Sequence, residues 1–358
     1  MREDGDDEMD DGNDGAVKKG RQIRMIGLLT VVLIAVFLIS FTLGRYSFVP
    51  PGQVVKILVN AVLPDGAPHF TETWAGAVKR MVVNNRLPRI VVACLVGCCL
   101  SAAGGSYQGV FQNPMAAPDI LGASTGAAFG AALAILMGAS SWKITLSAFC
   151  FSLLTVGIVF LIAQKAPGQK VVNLILAGIM LSSLFSAGTS YIKLVADPTD
   201  QLPAIEYWMM GSLNGMRLRD VTFVLPFVLI GCVPLLMIRW RINLLTLGDE
   251  EAQTLGIHTA RLRMVIILCA TLITAASVSV SGMIGWVGLV IPHLCRKLVG
   301  SDYRYLMPAS MIAGAAFLLV VDDVSRNLLQ VEIPIGILTA FVGAPFFVYL
   351  ILRKDKTL

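Results

Sequence analysis

The sequence predicts an all-α polytopic membrane protein, and three observations carry that expectation. Of the 358 residues, 56% are hydrophobic, and the mean hydropathy is +0.76. One soluble core cannot cover that much apolar sequence with polar surface. Charged residues make up 14%, against roughly 25% in an ordinary soluble domain, and they crowd into the first 24 positions. The apolar residues also fall in runs close to the ~20 residues that a helix needs to cross a bilayer. A small secreted scaffold, a nucleic-acid binder and a disordered regulator are excluded on these grounds.

The chain opens with eight acids between Glu3 and Asp14. This run predicts a solvated, disordered cytoplasmic tail over residues 1–24, closed by a basic juxtamembrane cluster of Lys18, Lys19, Arg21 and Arg24. The apolar run at 25–43 is long and lacks a small-residue cleavage site, so it reads as a retained span and not a signal peptide. Further spans are expected at 90–111, 120–137, 142–162, 171–195, 221–238, 306–321 and 335–352. The stretch 264–295 is too long for one span and too short for two full ones. Gly282, Gly285, Gly288 and Pro292 interrupt it, which predicts one full span followed by a short, broken one. The expected total is ten, within a membrane domain over 25–353 and a short tail at 354–358.

Basic residues orient the spans. The cluster before the first span places the N-terminus in the cytoplasm, and ten spans return Arg353, Lys354 and Lys356 to the same side. Six basic residues then fall outside, between the first two spans: Arg45, Lys56, Lys79, Arg80, Arg86 and Arg89. That excess runs against the usual bias and asks for a separate cause.

The span interiors carry almost no ionisable residues, the usual mark of ion-coupled carriers. Lys193, Asp322, Asp323 and Arg326 sit near expected span ends, and no GxxxxGK[ST] phosphate loop occurs. Uphill transport would therefore draw its energy from a partner. The seven cysteines lie in or at the end of apolar stretches, no CxxC occurs, and the three histidines His69, His258 and His293 are scattered. Neither a metal site nor a cofactor is expected. Gly122, Gly126 and Gly130 repeat at i, i+4, i+8, a spacing that lets helices approach closely in lipid. Short segments interrupted by Gly or Pro can also mark a transport pathway.

An ordered set of motifs is more specific. RLPR (86–89) leads into a Gly- and Ala-rich span ending in QNPMAAPDILG (112–122). LILAG (174–178), EYWMMGSL (206–213), LGDEEAQTLG (247–256), GWVGLVIPHLCR (285–296), DDVSR (322–326) and EIPIG (332–336) with GAPFF (343–347) follow. In this set the chain resembles the FecCD family, the permease subunits of ATP-driven importers for iron-siderophores, haem and cobalamin. The resemblance covers about residues 25–353. It leaves out the acidic tail, and the segment 65–85 looks longer than the family's usual stretch before RLPR.

The resemblance implies a type II ABC importer permease with ten spans and both termini cytoplasmic, in the prokaryotic plasma membrane. An identical or paralogous permease would pair with it around a central pathway. Two ATP-binding subunits would bind below, and a substrate-binding protein would dock outside. Arg86, Arg89 and Arg326 match arginines that meet carboxylates on that protein, a role suited to the bidentate guanidinium; anchoring of helix ends by snorkelling is the structural alternative. Gly248, Asp249, Glu250, Ala252, Leu255 and Gly256, in the long cytoplasmic loop 239–263, match the segment that couples to the ATPase. The residues alone give a short helix stopped by Gly256, with acids in its first turn. Gln112, Asn113, Pro114, Pro118, Gly122, Gly126 and Pro292 are the pathway candidates. Proline-broken backbone at membrane depth must be buried in protein or line water. The expected function is translocation of a metal chelate, with no covalent chemistry in this chain. A self-sufficient secondary carrier or channel for a small solute is the alternative. An enzyme acting on lipids would need clustered acids or histidines inside the membrane, and the sequence has none.

Overall fold

A computed structural model describes residues 6–44, 48–63 and 70–352. Arg45, His69, Arg353, Lys354, Lys356 and the expected tail 354–358 lie outside the described residues. Every regular element among the described residues is helical. The α-helices are α1 (Asp6–Thr42), α2 (Pro51–Val62), α3 (Gly76–Arg80), α4 (Leu87–Val110), α5 (Ala123–Leu136), α6 (Ser141–Lys165) and α7 (Lys170–Val195). They continue with α8 (Gln201–Met210), α9 (Leu218–Leu245), α10 (Asp249–Thr254), α11 (Thr259–Ser281), α12 (Val287–Val299), α13 (Tyr303–Asn327) and α14 (Ile335–Leu352).

Among the described residues, seven helical stretches are long and apolar enough to cross a membrane, including Lys19–Thr42, Gly76–Val110 and Tyr303–Asn327. Two shorter apolar helices, Ala123–Leu136 and Ile335–Tyr349, and the 13-residue α12 stand where the other three spans are expected. The acidic run, expected to be disordered, is helical in backbone from Asp6 onward. Once the apolar part of α1 is formed, added turns need no new nucleus, and acids near a helix N-terminus suit its dipole.

The second span starts earlier than its hydropathy suggests, at Gly76 and not near residue 90. Pro88 explains the route. It cannot donate to residue 84, and its ring would collide with that carbonyl in a regular helix. A wider π-turn over Met81–Arg86 carries the helix through. It brings both Arg86 and Arg89 into the interior.

Helix α4 is the central post, packed on by α9, α11, α12 and α13. Two glycine pairs set how close its neighbours come. A Cβ on Gly97 would meet the backbone of Gly314 in α13, and one on Gly104 would meet the backbone of Gly288 in α12. Without side chains there, the helices touch backbone to backbone.

The chain breaks twice at the depth of Leu100, mid-way along α4. After α4 it turns back as irregular chain to a short 3-10 helix, Pro118–Leu121, from which α5 leaves. After α11 it passes through 282–286, with Trp286 at φ +70°, before α12 begins. Leu100, Pro118, Asp119, Trp286, Gly288 and Leu289 border a cavity of about 240 Å³ between these breaks.

Candidate functional site

Two clusters hold the expected site residues, at opposite ends of the bundle. The first is the Arg89 end, where α1, α4 and α13 meet. Arg86, Arg89 and Arg326 are all buried, with 6%, 8% and 7% of their surface exposed. Arg89 uses Nε and Nη2 on Asp322, at 2.9 Å to Oδ1 for each. Its Nη1 donates to both oxygens of Glu332 at 3.0 Å. Asp322 also takes Arg326 Nε at 3.1 Å. The other arm of Arg326 reaches Asp323, which accepts a hydrogen bond from the Ser40 hydroxyl of α1. Arg86 donates to the carbonyl oxygens of Phe41 and Thr42 at the end of α1.

The positive charge of Arg89 and Arg326, expected to face a partner, is paired inside the chain with Asp322, Asp323 and Glu332. A buried guanidinium has to be paired, since an uncompensated one is strongly destabilising. None of the three carboxylates figures among the expected site residues. The DDVSR motif held a usable signal, because i,i+3 and i,i+4 spacing from Asp323 and Asp322 to Arg326 places all three on one helix face. The contact from Glu332 to Arg89 spans 243 residues and has no local signature. The arginines still border open space. Arg86, Arg89, Arg217 and Arg326 line a pocket of about 400 Å³ with Asn85, Asn214 and Glu332.

The second cluster is the Gly256 end, in the connection from α9 to α11. Gly248 takes φ +119° and starts α10, with Glu250 exposed; the side chain of Asp249 lies outside the described residues. Ala252 is fully buried and packs the little helix down, while Leu255 is 61% exposed. Gly256 follows at φ +78° with open space where a Cβ would stand, and Ile257 N–H closes back on Ala252 O at 3.2 Å. Only glycine enters that left-handed region without strain. An exposed leucine is thus presented on a tight helix–turn unit.

The pathway candidates are not gathered into one surface. Gly122 lies against Ser182 of α7 and Thr155 of α6, and Gly126 against Thr155 and Phe151 of α6. Both are therefore close-packing positions. Pro292 is buried in α12 beside Gly105. Asn113 and Pro114 are exposed, and Asn113 Oδ1 caps Met115 N–H at 2.9 Å. Gln112 takes φ +50° and donates Nε2 to Leu245 O at 2.6 Å, tying the turn to the end of α9. Pro118 alone of these borders the 240 Å³ cavity. Beside it stands Asp119, absent from the expected site, whose carboxylate accepts a hydrogen bond from Ser124. Among the described residues, no group of three or more His, Cys, Asp or Glu side chains could hold a metal ion.

Residues 32–353 match the FecCD transport family. The chain belongs to that family. It is 39% identical over 331 residues to the molybdate import system permease protein MolB of Haemophilus influenzae, covering 92% of this chain and 95% of the relative. It is 34% identical to the hemin transport system permease protein HmuU of Yersinia pestis, covering 93% and 96%. Among solved structures it is similar, at a TM-score of 0.81 and 37% identity, to a chain described as of metal-chelate type ABC transporter in an inward-facing conformation. The match covers 92% of this chain and 99% of that one. As a FecCD family member the chain is a multi-pass permease subunit of an ABC transporter in the prokaryotic plasma membrane. The two clusters are then the two ends of a transport subunit.

Proposed function

We propose that this permease pairs with an identical or paralogous copy and imports a metal chelate of the iron-siderophore, haem or cobalamin type. A substrate-binding protein docks at the Arg89 end, and two separate ATP-binding subunits engage the Gly256 end and hydrolyse the nucleotide. The observation that carries this reading is the Gly256 end itself: an exposed Leu255 on a short helix fixed to the bundle by buried Ala252. An apolar residue held out on a rigid support fits a hot-spot anchor in a partner's pocket.

The relatives named above handle both a molybdenum oxyanion and an iron porphyrin, so overall identity does not choose the cargo. Uptake into proteoliposomes, assayed in parallel with ferric siderophores, haemin, cobalamin and molybdate, identifies it. The coupling reading is tested by Leu255→Asp with Gly256→Pro. Loss of ATPase co-purification and of ATP-driven uptake is expected, with the helical spectrum unchanged. Import at the parental rate by the double variant, or import without any ATPase subunit, would establish a self-sufficient carrier instead.

A further inference from the structure

The filled fork of Arg89 poses a problem for any acidic partner. Asp322 takes Arg89 Nε and Nη2, and Glu332 takes Nη1. A carboxylate arriving from another protein would find no arm of Arg89 open to it. Docking through Arg89 therefore requires that one internal carboxylate give way.

The three carboxylates are not equally free to do so. Asp322 is fully buried and bridges two guanidiniums, Arg89 and Arg326, from within α13. Asp323 holds Arg326 and Ser40 from the same helix. Glu332 lies in the connection between α13 and α14, its one ion pair among the described residues is with Arg89, and its side chain is 24% exposed where theirs are 0% and 11%. The backbone next to it is pinned, since Ser325 Oγ donates to Ile333 O at 2.6 Å and Ile335 N–H donates to Gly211 O at 2.8 Å. Glu332 can thus leave by side-chain rotation alone, with the connection staying in place. Arg89 keeps Asp322 throughout and is never left buried without a counter-charge.

We propose that Glu332 is a displaceable latch, an internal carboxylate that occupies the outward arm of Arg89 until a partner's carboxylate takes its place. This rests on the docking reading above and adds a filter to it. A partner has to offer a carboxylate that binds Arg89 Nη1 better than Glu332 does, so weakly acidic surfaces are turned away. Displacing the latch exchanges one charge-assisted contact for another. The exchange sets specificity and leaves little net affinity per pair.

The test uses the full-length chain in nanodiscs, with a fluorescent tetraglutamate peptide as the probe and tetralysine as the control. Glu332→Gln keeps the shape of the side chain and removes its charge. Tetraglutamate should bind this variant at least about fivefold more tightly than the parental chain, with a steeper loss of binding as salt rises. Equal or weaker binding by Glu332→Gln overturns the latch. The paired substitution Arg89→Gln with Asp322→Asn removes one charge of each sign and should abolish peptide binding in both backgrounds. If binding is lost there but Glu332→Gln matches the parental affinity, the latch is wrong and the docking site stands. If the pair leaves binding intact, or if tetraglutamate binds no better than tetralysine, the docking site falls and the latch with it.

Discussion

At the Arg89 end the charged side chains are mostly buried and paired between α4, α13 and the connection that follows α13, at the edge of a pocket. At the Gly256 end Glu250 and Glu251 are exposed on a short helix that shows the solvent a leucine. Both ends are proposed to meet partners, and they are built on opposite principles. A buried ion network is costly to break and admits a partner only by exchange. An exposed apolar residue needs no exchange, and its burial by a partner is favourable from the outset. The difference teaches that the transport subunit can be selective on one side and permanently receptive on the other.

The largest expected effect comes from breaking the network at its centre. Asp322→Ala leaves Arg89 and Arg326 without their shared carboxylate and should destabilise the fold by about 3–5 kcal/mol. Thermal unfolding in detergent, compared with the parental chain, measures this. A loss below about 1 kcal/mol would show that the ions at this end are not holding α4 to α13.

Next is Gly104→Val, which drives a branched side chain into the backbone of Gly288. Overpacking of this kind typically costs about 1–3 kcal/mol. The same melting experiment should place it between Asp322→Ala and any change in the Gly256 connection. At the Gly256 end the comparison predicts a separation of stability from function. Leu255→Asp should change stability by no more than about 0.5 kcal/mol, as exposed positions do, and yet remove ATPase binding in a pull-down. A large stability loss on Leu255→Asp would mean that the two ends are built alike after all.

The smallest effect concerns an exposed carboxylate in the connection from α7 to α8. Asp197 accepts hydrogen bonds from the Thr199 hydroxyl at 2.6 Å and from the amides of Thr199 and Asp200 at 2.8 and 3.1 Å. The hydroxyl leads in holding its carboxyl below the usual range, and the amides add to it. A folded pKa below the unfolded one means that the turn is favoured above the unfolded pKa of about 3.9. The contribution fades as pH falls through the folded value. Thr199→Val should move the Asp197 titration upward, as followed by carboxyl carbon NMR, with no measurable change in melting. No shift would mean that the backbone amides alone set its acidity.

Some of this was legible in the order of residues. Run length and hydropathy located the long helices, because membrane thickness imposes a local requirement that each segment meets by itself. The acids after Gly248 and the stop at Gly256 outlined α10, since capping and left-handed turns are also decided within a few residues. The Gly122 and Gly126 spacing announced a close helix contact, and the structure supplies its partner in α6. The early start of the α4 stretch was hidden, because the polar run Asn84, Asn85, Arg86 hides a helix that only burial of Arg86 and Arg89 makes tolerable.

Sequence by itself therefore determined that the chain is helical, where most of its helices lie and which family motifs it carries. Tertiary structure decided what the arginines face, that the Pro118 turn and the start of α12 meet against the middle of α4, and that Glu332 reaches Arg89. Hydropathy, capping and i,i+4 spacing act over a few residues and can be read along the chain. Charge pairing between residues 243 apart depends on how whole helices stack, and that stacking is set by backbone contacts such as Gly97 on Gly314 and Gly104 on Gly288, which no local pattern announces.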